Sequence, residues 1–358
     1  MGAVDLPIEW PVAPMLAKAA KTVPEQPGDG PPVWSYEPKW DGFRAIVFRD
    51  GDEVRLGSRG GKDLARYFPE LVEAIRRELP ERVVVDGEIV VPREIDGRTR
   101  LDWDALSERI HPADSRVQML AEKTPSMFVG FDLLMHSGTD FMNEPFAARR
   151  AKLLEVMVGG DRCQITSTTD DTATAQDWFQ RFEGAGLDGV IAKKLDSVYL
   201  PNKREMVKIK HARTADCALI GYRVHKSGNG IGSLLLGLYD GDQLRMIGGA
   251  SAFTDKRRVE ILEELQPLRI GDDVVSDAEA NRWTSNKDRS WVPLRVERVV
   301  EVAYDQMEGQ RLRHAARFLR WRPDRDPKSC TYDQLEVPVD YDVADVLAGG
   351  PDSPAGES

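Results

Sequence analysis

Apolar and polar positions alternate in short runs through the first half of the chain, broken by stretches of helical spacing, and this mixture predicts an α+β region. Residues 33–36, 45–49 and 82–91 read as strands, and 63–78 as an amphipathic helix with its apolar residues on one side. Asn143-Glu144-Pro145 predicts a helix over 146–157, since proline near the first turn has a preset φ and no N–H to leave unpaired. A second such helix spans 171–183 and ends at Gly184 and Gly186. A strand over 190–193 and a charged strand around Lys208 complete the region.

The pattern changes near 211–215. Short strands over 217–224, 233–239 and 243–247 are joined by glycine-rich turns at 226–232 and Asp240-Gly241, followed by one helix over 255–265 and a strand over 299–304. Several short strands with a single inserted helix predict an all-β barrel of the OB type, with a β-sandwich as the alternative. The expected organisation is therefore a first domain over 1–212, a barrel over 213–330 and a tail over 331–358. The stretch up to Pro32 is rich in Pro, Gly and Ala, with 11–17 as its anchored segment.

Composition narrows the class. A chain of 358 residues with 41% hydrophobic positions can fill two cores. No apolar run approaches the ~18 residues of a membrane span, and no basic-then-apolar leader opens the chain, so a cytoplasmic protein is expected. Cys163, Cys217 and Cys330 are odd in number and far apart, which predicts reduced, buried thiols, and the five histidines show no metal-ligand spacing. The net charge of −11 argues against a nucleic-acid partner until its distribution is considered. The tail has acidic residues, no Lys or Arg, and a Gly/Pro/Ser-rich end, so it is expected to be partly disordered. Basic clusters at 203–213 and 311–325, interleaved with Met206, Phe318 and Trp321, predict a binding face on the remaining body.

Lys39 is the chemical centre of the sequence, in Glu37-Pro38-Lys39-Trp40-Asp41-Gly42-Phe43-Arg44. A lysine attacks as its free amine, which requires desolvation or neighbouring cations to bring its pKa down from about 10.4. Apolar Pro38, Trp40 and Phe43 with Arg44 offer both, Asp41 adds a carboxylate, and Gly42 allows close backbone approach to a phosphate. Further segments follow in order: Ser58-Arg59, Asp86-Gly87-Glu88-Ile89-Val90, Phe128 through Leu134, Gly186 through Lys194, Val207-Lys208-Ile209-Lys210, and Arg317 through Arg325. Together these seven segments resemble the motifs of the covalent nucleotidyltransferase superfamily, and within it the ATP-dependent DNA ligase family. The nearest likeness is to the small stand-alone ligases of actinobacteria and the ligase domain of bacterial end-joining ligases.

The resemblance implies a nucleotidyltransferase (ATP-grasp-like ligase adenylation) domain of antiparallel sheets and helices, followed by the OB-fold domain. It implies sealing of 5′-phosphate/3′-hydroxyl nicks in duplex DNA through a lysyl-AMP on Lys39, with ATP and Mg²⁺ or Mn²⁺. Glu37 would read the adenine, Phe131 would stack on it, and Arg44 and Glu88 would hold the ribose side. Lys39, Asp41, Lys208 and Lys210 would be the catalytic residues, with Lys208 and Lys210, on one face of a strand, addressing the α-phosphate. Arg59 would grip the nick 5′-phosphate, and Asp188, with Asp41 and Glu88 as helpers, would hold the metal. Arg322 and Arg325 would contact the β- and γ-phosphates. Two positions depart from the family pattern: Asp188 stands where glutamate is usual, and Arg325 where lysine is frequent. Met206 also replaces a common aromatic. Rival readings are a GTP-using capping enzyme, an RNA ligase and a non-catalytic nucleic-acid-binding protein. The likeness further implies a monomer in DNA repair, with nicked duplex DNA and a repair primase-polymerase as partners and no membrane.

Overall fold

Strand periodicity decides which side chains meet in the first half of the chain. The computed structural model describes residues 5–95, 97–211, 213–271, 275–276, 290–335 and 341–349, and divides into one unit of residues 1–210 and 338–358 and another of 211–337. In the first unit, β1 (Leu16–Ala20), β2 (Trp34–Pro38), β8 (Val190–Lys194) and β9 (Arg204–Ile209) form a sheet in the order β1-β9-β8-β2. A second sheet runs β7-β6-β5-β3-β4, from β3 (Phe43–Asp50), β4 (Glu53–Ser58), β5 (Arg82–Val90), β6 (Met127–His136) and β7 (Cys163–Ile165). Most pairings are antiparallel as expected, but β1 joins β9, and β7 joins β6, in parallel.

On β3, Ala45 and Val47 enter the core shared with α1 (Pro69–Glu78), while Ile46 and Phe48 face a core with Met15, Leu134, Tyr199 and Met206. Arg44 has the parity of Ile46, and its β5 partner is Glu88. Polar residues at the end of an apolar face therefore line a cavity between strands of both sheets. Helices α4 (Phe146–Val156) and α5 (Thr172–Arg181) start where expected, with Pro145 at the N-cap of α4 and Asp171 accepting from Thr174 N at that of α5. The helix expected from residue 63 begins only at Pro69. Asp63 instead turns the chain, accepting from the N–H groups of Leu56 and Ala65. Helices α2 (Trp103–Glu108) and α3 (Asp114–Lys123) were not predicted.

Part of the tail packs onto the first unit. Tyr341, Val343 and Val346 are buried, the latter two on α7 (Val343–Leu347), against Trp178 and Phe182. Asp342 caps α7 through Ala344 N and accepts from Thr99 N, while Trp178 Nε1 donates to Gly349 O. The acidic composition concealed an apolar spacing that suits one helical face. Residues 336–340 and 350–358 of the predicted tail lie outside the described residues.

In the second unit, β10 (Arg213–Val224), β11 (Ile231–Asp240), β12 (Gln243–Ser251), β13 (Val275–Ser276), β14 (Ser290–Pro293), β15 (Val299–Tyr304) and β16 (Ala316–Trp321) share one sheet. The twelve-residue β10 pairs with β15 over its first half and β11 over its second, closing a barrel in the order β10-β11-β12-β16-β15. The β12–β16 pair is parallel, and α6 (Asp255–Leu265) bridges β12 and the strands that follow. This five-stranded circuit is the OB topology rather than a sandwich. Phe318 and Trp321 pack edge-to-face at 5.1 Å, and Trp321 Nε1 donates to Glu264. Met206 is buried in the first unit. Phe318 and Trp321 are thus partly covered within the second unit, and Met206 lines a cavity of the first. All three cysteines are buried and unpaired, with burial raising their thiol pKa values.

Candidate active site

Lys39-Trp40-Asp41-Gly42 carries the chain from β2 in one sheet to β3 in the other. Two backbone hydrogen bonds fix this turn beside β8: Lys39 N donates to Gly189 O at 2.8 Å, and Asp188 N to Lys39 O at 3.0 Å. A Cβ at Gly189, whose φ is +116°, would lie 2.0 Å from Ile209 O, and one at Gly42 would lie 2.1 Å from Ile89 O. Both approaches require glycine.

This backbone arrangement brings Lys39 and Asp188 together, Nζ to Oδ2 at 2.7 Å. The same Oδ2 meets Lys210 Nζ at 2.5 Å. Arg204, Met206 and Lys208 alternate along β9 toward the cavity, while Val207 and Ile209 enter the opposite core. Burial pushes the Asp188 pKa up, but Lys39 and Lys210 outweigh it and hold the carboxyl below its usual value. Lys208 is shifted down by desolvation, then by the positive charges of Lys210 and Lys39. The cluster therefore carries an excess of positive charge, suited to phosphoryl oxygens.

Deeper in the cavity, Arg44 grips Asp86 with two bonds of 2.6 Å, and its guanidinium lies 4.5 Å from the Phe131 ring centroid. Tyr199 donates to Asp86 Oδ2 at 2.6 Å and accepts from Met15 N at 3.0 Å. Burial lowers the pKa of Arg44, and Asp86 more than reverses this to leave it raised. Glu88 accepts from Gly42 N at 3.2 Å; desolvation pushes its pKa up to about 7 against the pull of Arg44 and Lys39. Glu37 pairs with Lys193, Oε1 to Nζ at 2.8 Å, with both side chains almost fully buried. Removing one partner from such a pair costs about 3–5 kcal/mol.

Glu37, Lys39, Arg44, Arg59, Glu88, Phe131 and Lys208 all line one cavity of about 230 Å³, with Asp188 tied to it through Lys39 and Lys210 through Asp188. Asp41 is half-buried in the same turn. Sequence reasoning assigned no role to Asp86, Lys193 or Tyr199, although the strand parity of Ile191 points Lys193 to the cavity side. Arg322 and Arg325 belong to the second unit. There, Arg322 Nη1 pairs with both oxygens of Asp216 at 3.0 and 2.9 Å and Nη2 with Asp324 at 2.8 Å, while Arg325 Nε lies 3.6 Å from Asp216.

Among the described residues, no three His, Cys, Asp or Glu side chains gather as a self-sufficient metal site. Asp188 and the desolvated Glu88 fit a cation that takes one or two protein carboxylates and completes its shell with substrate phosphates and water.

The sequence profile described as "ATP dependent DNA ligase domain" matches residues 14–210, and "ATP dependent DNA ligase C terminal region" matches 227–325. DNA ligase C1 of Mycolicibacterium smegmatis is 59% identical over 350 residues, covering 96% of this chain and 99% of its own. DNA ligase C of Mycobacterium tuberculosis is 52% identical over 367 residues, covering 97% and 99% respectively. A solved Lig E DNA ligase, 17% identical with a TM-score of 0.53, covers 87% of this chain and 99% of its own and shares the fold.

Proposed function

The chain belongs to the ATP-dependent DNA ligase family, and on that premise we propose how its residues divide the work. It is an enzyme that uses ATP and a divalent metal to seal 5′-phosphate/3′-hydroxyl nicks in duplex DNA. Lys39 attacks the α-phosphorus of ATP as its free amine. A nitrogen–phosphorus bond forms, the bond to the bridging oxygen breaks, and pyrophosphate leaves with the electron pair. AMP then passes to the nick 5′-phosphate, and the 3′-hydroxyl displaces it.

The observation that carries this reading is the shared Asp188 oxygen between Lys39 and Lys210, at the border of a cavity that Lys208 also lines. Asp188 orients the nucleophile, and Lys208 and Lys210 stabilise charge developing on the α-phosphate. Asp41 supports the turn that carries Lys39. Glu37 and Phe131 meet the base, Arg44 and Glu88 the ribose side, and exposed Arg59 the nick phosphate. Mg²⁺ or Mn²⁺, held by Asp188 and Glu88 with the nucleotide phosphates, would neutralise charge on the leaving group. Arg322 and Arg325 of the second unit serve the β- and γ-phosphates. The first unit is thus the adenylation domain and the second the DNA-covering OB domain. A cytoplasmic monomer in DNA repair, working beside a primase-polymerase, fits this assignment.

Incubation with α-labelled ATP, GTP or NAD in separate reactions tests it. ATP should label the chain in an acid-labile, alkali-stable linkage, and Lys39→Ala should abolish labelling. Labelling of Lys39→Ala at the wild-type level, or only by GTP or NAD, refutes the assignment.

A further inference from the structure

Lys193 is a cation with no assigned task. It projects from β8 with the parity of Ile191, which lines the cavity, and is only 1% exposed. Its Nζ meets Glu37 Oε1 at 2.8 Å and donates to the Phe131 carbonyl at 3.3 Å. It also lies 4.6 Å from the Phe131 ring centroid. One ammonium thus contacts both residues assigned to the base. Glu37 is 4% exposed, and its second oxygen, Oε2, is buried without a hydrogen-bond partner. Glu37 lines the cavity, and a buried carboxylate oxygen left unmatched on a lining residue is one that a ligand N–H would satisfy.

We propose that Lys193 is a positioning residue for nucleobase selection: it fixes Glu37 by one oxygen so that the other is aimed to accept from the 6-amino group of adenine. This rests on the assignment of Glu37 to the base. Adenine offers a donor at that edge, whereas guanine offers a carbonyl, which would set two acceptors against each other. A purine with no 6-substituent leaves Oε2 unmatched. Lys193 has a second effect on the same group. Burial raises the Glu37 pKa, and Lys193 is the largest influence opposing it; a protonated Glu37 could present a donor instead of an acceptor and would lose the distinction.

The test compares kcat/KM for self-adenylation with ATP, GTP and purine riboside triphosphate, which lacks the 6-amino group, in wild type, Glu37→Ala, Lys193→Met and Lys193→Gln. The ratio between nucleotides is taken within each protein, so a smaller folded fraction cancels. Wild type should prefer ATP over the 6-unsubstituted analogue by about 10- to 100-fold, as for a charge-assisted hydrogen bond. Lys193→Met and Glu37→Ala should both bring the preference close to unity, mainly through KM for ATP. Lys193→Gln keeps a donor without the charge, so its ATP preference should be weaker than that of wild type and should rise with pH as Glu37 ionises, with Arg150 still favouring and Asp132 opposing that ionisation. If Lys193→Met does not fold, the pH dependence of Lys193→Gln decides alone, and a preference that stays high and flat overturns the proposal. An unchanged ratio in Lys193→Met, with all nucleotides slowed equally, shows a structural role and also overturns it. Loss of preference in Glu37→Ala alone leaves Glu37 reading the base but removes Lys193 from the task. Retained preference in Glu37→Ala removes Glu37 itself, and the inference with it.

Discussion

The two clusters assigned to the triphosphate differ in charge balance. In the first unit, Lys39 and Lys210 share one Asp188 oxygen, and Lys208 adds a further cation nearby. In the second, Arg322 is enclosed by Asp216, Asp324 and, at 3.8 Å, Glu301, with Arg325 beside Asp216. A cluster with surplus cations draws a phosphate in directly. Arginines already matched by carboxylates can receive one only by exchanging one anion for another. The guanidinium fork suits such an exchange because carboxylate and phosphate offer it the same bidentate geometry. Under the proposed assignment, the first cluster would serve chemistry on the α-phosphate, and the second a contact that can be made and given up.

The largest expected effect breaks the first cluster. Asp188→Ala leaves Lys39 and Lys210 without their common anchor and should slow self-adenylation by about 100-fold or more in single-turnover assays. A near-wild-type rate would remove Asp188 from the nucleophile's support. Next, Arg322→Ala combined with Arg325→Ala should slow adenylation by about 10- to 100-fold while leaving joining of a nick that already carries 5′-AMP largely intact. Equal loss in both assays, or none in adenylation, would make the second cluster structural. The smallest effect concerns Glu88, the buried carboxyl beside the cation-rich cluster. Its pKa rises from 4.5 to about 7 on folding, so the folded chain binds more protons than the unfolded chain in that window. Wild type should lose stability as pH climbs through it, whereas Glu88→Gln does not titrate. The variant should melt about 2–4 °C higher than wild type at pH 8, with the gap closing toward pH 5. A gap that widens at low pH would contradict the assigned shift.

Sequence made the β-strands and the motif chemistry legible because both are local. Strand limits over 299–304 and helix limits over 255–265 match those observed, and Glu37, Lys39, Arg44, Arg59, Glu88, Phe131 and Lys208 gather at one cavity. What stayed hidden depended on partners distant in the chain. Asp86 was quoted in a motif without a task, since only the fold shows it between Arg44 and Tyr199. Lys193 likewise stood within the Gly186–Lys194 motif without a task until β8 set it beside Glu37. For Trp321, α6 supplies Glu264 as the indole's acceptor, a partner that local sequence does not name. In the tail, composition outweighed the spacing of Tyr341, Val343 and Val346.

That tail makes the OB barrel an insertion: the chain leaves the adenylation unit at Lys210 and returns to it to seat Tyr341 against Phe182 at 5.2 Å. A fragment stopped at Lys210 would keep every first-unit motif residue yet strip the cover from Trp178 and Phe182, presenting a greasy patch to water. Minimal versions of the catalytic half are better made by replacing the barrel with a short linker and retaining residues 341–349 than by truncation.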